Sequence, residues 1–196
     1  MTPLFMQRLR DSIMPLHDEA ERLGPLHKIP EKSVTLEEYK EILERLYGFV
    51  SVAEDVIQRK INDQCVGLDY ESRKRIGHIE KDLLFLGSSK ASIEQIPRCK
   101  DISHVETLPD ALGCLYLFEG SRLGGLVLSK SLCEQFGFKD YRGYAYFGSN
   151  GSKVTFMWSS FRDFTETYVG KHGGGNEIIL SAQKGFASLN KWLAGI

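Results

Sequence analysis

The stretch Thr107–Gly137, TLPDALGCLYLFEGSRLGGLVLSKSLCEQFG, decides how the rest of the chain is read. It carries the marks of one long helix. Thr107 stands in a capping position, Pro109 and Asp110 fall in the first turn, and Gly137 supplies the stop. Leu115, Tyr116, Phe118, Leu123, Val127 and Leu128 give it enough apolar surface to be buried on most sides. Against this run Gly120, Ser121, Gly124 and Gly125. An interior glycine costs about 1 kcal/mol relative to alanine, so the cluster needs a physical reason. Gly120 and Gly124 lie one turn apart and leave a bare strip of backbone on one face. Another helix can cross there at van der Waals distance, or a planar ligand can lie flat on it. Glycine clusters also permit a bend. A ligand platform requires a partner element opposite.

The chain has 196 residues, which suits one sizeable core and a single domain over 1–196. Its apolar fraction of 42%, charged fraction of 26% and net charge of −1 are those of an ordinary globular protein. No strong global field points to nucleic acid or an anionic membrane. No phosphate loop, no supportable Ser-His-Asp spacing and no basic stripe with interleaved aromatics is found, so hydrolase and nucleic-acid readings fall away. No run reads as long and apolar enough to span a bilayer, and the N-terminus lacks an apolar signal-peptide segment. Cys65, Cys99, Cys114 and Cys133 show no metal or CxxC spacing. Cys114 and Cys133 are expected as buried free thiols, in keeping with a reducing cytoplasmic compartment.

The remaining segments also read as helices. Thr2 with Pro3 is expected to cap a first helix through Leu23, carrying Leu4, Leu9, Ile13, Leu16 and Ala20 and ended by Gly24-Pro25. Pro15 inside it predicts a kink or local break. A connector over 25–34 leads to the capping box Thr35-Leu-Glu-Glu38, which opens a second helix to about Cys65. A third is expected from Ser72 to Leu86, with its basic residues first and Gly87 as its stop. Residues 88–106 read as polar with one short helical turn, and 138–151 as an aromatic loop. Another helix spans Ser152–Val169 before the break at Gly173-Gly174-Gly175, and Asn176 is expected to cap the last, Ile178–Leu193. No strand is expected. The reading is all-α, with about six main helices.

His17 is the candidate partner for the glycine strip. A lone histidine beside Leu16 and Ala20 is ordinarily a core residue, but Glu21 follows by one turn and can accept a hydrogen bond from its second ring nitrogen, which is how metal-ligating histidines are oriented. Without a metal the pair is only a surface contact worth a few tenths of a kcal/mol. Arg10 lies seven residues earlier on nearly the same face, about 10 Å along the axis. That separation suits a ligand with a metal at its centre and carboxylates at its rim, and a guanidinium pairs well with a propionate. Together these residues sketch a haem sandwich, with imidazole on one side and bare backbone on the other. His27, His78, His104 and His172 read as structural or solvent-exposed.

LRDSIMPLHDEAE (Leu9–Glu21) resembles the proximal-helix signature of haem oxygenases, and LGCLYLFEGSRLGG (Leu112–Gly125) resembles their distal helix, nearest to the bacterial branch found beside bacteriophytochromes. RKRIGHIEKDLLFLG (Arg73–Gly87), FASLNKWL (Phe186–Leu193) and the spacing of Trp158 and Phe161 also fit, so the resemblance covers nearly the whole chain. It implies a single-domain haem oxygenase-like helical bundle that takes haem as substrate and cofactor. The implied reaction is a monooxygenase cleavage of haem with O2 and electrons to biliverdin, CO and ferrous iron. A separate ferredoxin or flavin reductase would supply electrons, and a phytochrome would accept the bilin. On this mapping His17 is the iron ligand and Glu21 its hydrogen-bond partner, while Arg10 and Lys153 serve the propionates, with Tyr144 the other candidate there. Gly120, Ser121, Gly124 and Gly125 cover the distal face, where no side chain can take the sixth position.

The sequence departs from the family pattern in places. Ser121 stands where mammalian relatives carry aspartate, although the bacterial branch has serine. Arg122 replaces a smaller Thr or Asn, Ser12 replaces Thr, and Pro15 precedes the ligand. Two rivals are a non-catalytic haem carrier or sensor on the same fold, and a diiron or thiaminase-like relative. Diiron chemistry wants several inward Glu and a Glu-x-x-His pair, which are not found.

Overall fold

The computed structural model describes residues 4–61, 68–102, 104–149 and 151–195, and among them every regular element is helical. In chain order these are α1 (Phe5–Ala20), the one-turn α2 (Lys28–Glu31), α3 (Leu36–Gln58), α4 (Ile76–Phe85), the short α5 (Lys90–Glu94), α6 (Leu108–Phe136), the one-turn α7 (Ala145–Gly148), α8 (Val154–His172) and α9 (Gly175–Leu193). Single 3-10 turns at Gly24–His27, Glu71–Arg73 and Gly151–Lys153 join them. Six long helices carry the architecture, as the apolar periodicity requires.

α6 is the 29-residue axis of the molecule. The Thr107 hydroxyl accepts the Asp110 amide while the Asp110 carboxylate accepts the Thr107 amide, a reciprocal cap of the expected kind. Gly137 ends the helix at φ 68°, a conformation glycine takes without steric cost. α9 lies along α6 on one side and along α1 on the other. Leu9 and Ile13 of α1, Leu112 and Leu115 of α6, and Ile178 and Ala182 of α9 are buried in one continuous core with Ile42 and Phe49 of α3 and Phe161 of α8.

The closest α6–α9 approach is at Gly113. A Cβ there would stand 2.3 Å from the Ile178 carbonyl oxygen and 2.9 Å from the Ala182 nitrogen. The Ser181 hydroxyl donates to the Asp110 carbonyl at 2.7 Å beside it. Gly185 answers from α9, where an added Cβ would stand 3.2 Å from the Leu117 methyl groups. The close helix crossing that a glycine cluster could have served is therefore met outside the Gly120–Gly124 strip.

α1 runs through Pro15 without a break, against expectation. Pro15 faces solvent, and α9 holds the α1 backbone on either side of it. Gln183 donates to the Ser12 carbonyl at 3.2 Å and Asn190 to the Leu16 carbonyl at 2.9 Å. Tertiary bonds thus support the turn in which proline supplies no amide. The expected Thr2 cap lies outside the described residues. The helix starts at Phe5 with Leu4 at the cap position and no side-chain cap, and it stops at Ala20 rather than Leu23.

Other boundaries moved for identifiable reasons. α3 keeps its Thr35–Glu38 capping box but its described helix ends at Gln58; Cys65, the expected end, lies outside the described residues. The helix expected from Ser72 begins at Ile76, because the chain first turns to carry Arg73 and Arg75 into the interior. Asn176 does not cap α9. Gly174 does, in a left-handed conformation at φ 80°, and the Asn176 side chain instead accepts from Arg8 at 3.3 Å. The aromatic loop contains α7 and a 3-10 turn.

One expectation is overturned outright. α6 is long and apolar enough, at a mean hydropathy of 1.2, to cross a membrane by length and composition. It serves here as the core helix: 61% of that window is buried inside the fold, and Glu119 and Arg122 are buried within it. Of the cysteines described, Cys99, Cys114 and Cys133 are free thiols; Cys114 is buried and Cys133 half-buried.

The glycine contacts predict opposite responses to one methyl group. Gly113→Ala should destabilise the fold by about 1–3 kcal/mol or more through overpacking. Gly124→Ala, where a Cβ meets nothing within 4 Å, should be neutral or stabilising by up to about 1 kcal/mol. Urea midpoints of the two variants test the contrast, and equal losses would refute it.

Asp82 supplies a pH-dependent tether between α4 and α7. Its fully buried carboxylate accepts the Ala145 and Tyr146 amides, each at 2.8 Å. Burial raises its pKa from 3.8 to about 6, opposed in part by the amide bonds from Tyr146, Ala145 and Gly143. The folded chain thus retains a proton between those two values that the unfolded chain releases. The stability contributed by Asp82 is highest below the unfolded value and falls as pH rises towards about 6. Relative to Asp82→Asn, the wild type should lose about 1–3 kcal/mol between about pH 4 and about pH 7. Paired urea titrations check the sign; a relative gain would show that the amides hold the carboxylate ionised.

Candidate functional site

Three of the expected site residues come from α1. His17 lies near its C-terminal end, 37% exposed, with its ring edge-on to Phe186 of α9 at 6.0 Å between centroids. Its Nε2 is 3.8 Å from the Glu21 carboxylate and its Nδ1 is 3.8 Å from Asp18. Both distances are too long for hydrogen bonds, and Nδ1 is shielded from solvent with no hydrogen-bond partner. Each ring nitrogen therefore faces a carboxylate at 3.8 Å without bonding it. That combination fits an axial ligand for a metal centre. Donor atoms of His17, Asp18 and Glu21 lie within 4.8 Å of one another. Arg10 is exposed, and its charge reaches the Tyr116 hydroxyl of α6, acting to lower that group's pKa against the larger raising effect of burial.

α6 supplies the bare strip. A Cβ on Gly120 would meet only the Tyr116 ring, at 3.9 Å, and on Gly124 nothing within 4 Å. Leu123 and Val127 flank the strip and are 44% and 61% exposed. The result is an open apolar ledge of backbone with no helix lying on it. Tyr116 closes its inner end, packed edge-on against Trp158 of α8 at 5.8 Å. Gly125 differs from its neighbours: a Cβ would stand 3.0 Å from the Phe147 carbonyl oxygen, so this glycine serves packing against α7.

Ser121 is tied from below. Its hydroxyl donates to the Phe118 carbonyl at 3.0 Å and accepts from Arg75 Nη1 at 3.1 Å. The Arg75 guanidinium is 2% exposed, and its other partners are the Phe118 and Tyr146 carbonyls and the Tyr146 ring at 4.0 Å. No carboxylate bonds it. Glu54 takes the backbone amides of Arg75 and Ile76, and burial raises the Glu54 pKa. A buried cation with neutral partners therefore lies beside the ledge.

Arg122 points the other way, into the core. Its Nε donates to Glu119 at 3.1 Å and its Nη2 to the Arg73 carbonyl at 2.6 Å. Arg73 completes the set with bonds to Glu119 at 2.8 Å and Ser160 at 2.8 Å. Its bulk is thereby kept off the Gly120–Gly124 face. Lys153 is exposed at the start of α8, without a hydrogen bond or ion pair among the described residues. Tyr144 is occupied within an aromatic cluster, 5.6 Å from Tyr141 and 6.5 Å from Phe138.

The structure thus brings His17 to Glu21, Gly120 to Gly124 and Ser121 to Arg75. Sequence reasoning missed Arg73, Arg75 and Glu119, having placed the basic residues in the first turn of a helix without assigning them a role. The available signal was Glu119–Arg122, an opposite-charge i,i+3 pair inside an otherwise apolar helix.

The fold is an all-α bundle among the described residues, with a carboxylate-flanked imidazole on one helix and an open strip of glycine backbone on another. The family model for heme oxygenase matches residues 4–195, and the chain belongs to that haem-degrading family. No curated sequence matches the chain. Among solved structures it is similar to the heme oxygenase from Leptospira interrogans, with TM-score 0.81 at 16% identity, covering 99% of this chain and 100% of that one. It is also similar to heme oxygenase-1 from the cyanobacterium Synechocystis sp. PCC6803 in complex with heme, with TM-score 0.79 at 17% identity over 98% and 92%. A third is heme oxygenase-2 from Synechocystis sp. PCC 6803 in complex with heme and NO, with TM-score 0.79 at 17% identity over 97% and 84%. At these identities the three establish the fold.

Glu119→Gln would leave two buried guanidinium groups short of their shared counter-charge, with an expected loss of about 3–5 kcal/mol in unfolding free energy. Chemical denaturation measures it. A loss below about 1 kcal/mol would show that the cluster does not depend on the carboxylate's charge.

Proposed function

We propose that the chain binds haem between His17 and the Gly120–Gly124 ledge and degrades it with O2 and externally supplied electrons to biliverdin, CO and ferrous iron. The observation that carries this reading is the emptiness in front of Gly120 and Gly124, which packing does not explain. Family membership and the haem held by the two Synechocystis relatives support it. When bound, haem supplies both the metal centre that activates O2 and the ring that is oxidised.

The protein's own part is to bind, orient and exclude. His17 would ligate the iron, with Asp18 and Glu21, each 3.8 Å from a ring nitrogen, placed to orient the imidazole. Gly120 and Gly124 keep ligating side chains away from the opposite face while letting it come close to the backbone. Ser121, with its proton committed to Phe118 and one lone pair to Arg75, retains an acceptor site. The Arg75 charge behind it favours anionic character developing on that side. Arg10 and Lys153 are free cations for the propionates.

A separate ferredoxin or flavin reductase provides the electrons in this reading, and a phytochrome can take up the bilin. Free Cys99, Cys114 and Cys133 fit a reducing, cytoplasmic setting.

Adding hemin, then ascorbate or a reductase in air, should bleach the Soret band and raise biliverdin absorbance. Haem binding without bilin would instead mark a carrier. His17→Ala should abolish the iron–histidine stretch in the resonance Raman spectrum and weaken haem binding at least tenfold. Gly124→Leu should fold normally yet lower turnover at least tenfold, a barrier increase of about 1.4 kcal/mol. Unchanged turnover would remove the ledge from the mechanism.

A further inference from the structure

A second concavity lies between α4 and the segment Asp140–Ser149, with a volume of about 610 Å³. That falls within the range of small-molecule sites. None of its lining residues belongs to α1, α6, α8 or α9, the helices that form the ledge and its surroundings. Its walls are apolar. Leu84, Phe85 and Tyr141 line it and are among the largest exposed apolar side chains of the molecule, Tyr141 at 50%.

The polar groups at this concavity converge in a particular way. Lys81 and Arg142 line it, and neither has an ion pair or a side-chain hydrogen bond among the described residues. The Arg142 guanidinium lies over the Phe85 ring at 5.0 Å, which holds it against the apolar wall. Asp140 is the single acid of the lining. Ser149 adds a hydroxyl that is shielded from solvent and has no partner. His78 lines the same concavity, and burial, with the charges of Lys81, Arg75 and Arg122, lowers its pKa. Of the two buried arginines, Arg122 is paired with Glu119, whereas Arg75 has no carboxylate bond among the described residues.

The backbone of the rim is costly to maintain. Asp140 and Tyr141 are consecutive non-glycine residues at φ 55° and 59°, a conformation that costs about 1–2 kcal/mol for each. Such strain persists where surrounding structure enforces it. Its effect here is to stand the Tyr141 ring at the mouth, 5.6 Å from Tyr144.

We propose that this concavity binds a small organic anion, a carboxylate or sulfonate carried on a flat apolar body. The acid meets Lys81, Arg142 and the Ser149 hydroxyl, and the body lies against Leu84, Phe85 and Tyr141. This site is independent of the haem ledge.

The probe is 2-naphthoate, with the isosteric, uncharged 2-naphthamide as control, titrated calorimetrically into the full chain. Naphthoate should bind at least tenfold more tightly than the amide. Lys81→Glu and Arg142→Glu should each weaken it at least fivefold, as should Arg142→Gln if charge rather than repulsion is responsible. Ser149→Ala should weaken it about threefold. Gly124→Leu, which fills the ledge, should leave binding unchanged, so the result does not depend on haem. Equal binding of acid and amide, indifference to both charge reversals, loss of binding in Gly124→Leu, or no binding at all would each overturn the proposal.

Discussion

The helices that carry His17 and the glycine strip keep a fixed spacing only if something sets it, and here that is α9. On one side it meets α6 at Gly113, where the absent side chain lets the Ile178 carbonyl approach to a distance no Cβ would tolerate. On the other it holds α1 by side-chain bonds to the Ser12 and Leu16 carbonyls. Backbone contact on one flank and hydrogen bonds on the other leave little freedom for α1 to slide. His17 is carried on the segment so pinned, and its ring rests on Phe186 of the same wedge. The position of the imidazole is thus a property of α9 as much as of its own helix.

Beneath the ledge the interior is unusually charged. Arg73 and Arg122 share Glu119, whereas the terminal nitrogens of Arg75 meet only carbonyls and a hydroxyl among the described residues. Burying such a group without a counter-ion costs free energy, which the surrounding hydrophobic core must offset. The return is a fixed field that acts on both sides of the cluster. Ser121 feels it on the α6 face and His78 on the α4 face.

The fold was largely legible because its signals are local. Capping at Thr35 and Thr107, the stop at Gly137 and the apolar stripes all appear where the sequence placed them. The placement of Glu21 beside His17, at 3.8 Å and without the expected hydrogen bond, and the bareness of Gly120 and Gly124 were legible for the same reason, since one turn of helix sets them. What escaped depended on tertiary partners. Arg73 and Arg75 had no role assigned until Glu119, Ser160 and Ser121 are seen to receive them. Arg122 read only as a departure from a smaller Thr or Asn, because a sequence does not say that Glu119 and the Arg73 carbonyl receive it inside the core. Gly125 looked like its neighbours, yet only the placement of α7 reveals what it touches. Pro15 predicted a disruption that donors 168 and more residues away prevent (Gln183 to Ser12, Asn190 to Leu16, separations of 171 and 174).

The glycines of α6 divide into two kinds with different histories open to them. Gly113 and Gly125 are locked by neighbouring backbone, so a lineage that changes them must remodel two helices at once. Gly120 and Gly124 touch almost nothing, and a substitution there alters the face they present while leaving the scaffold intact. Selection can therefore resculpt that face one residue at a time. Descendants of the chain are free to diversify in what they admit and how it is oriented long before they diverge in architecture.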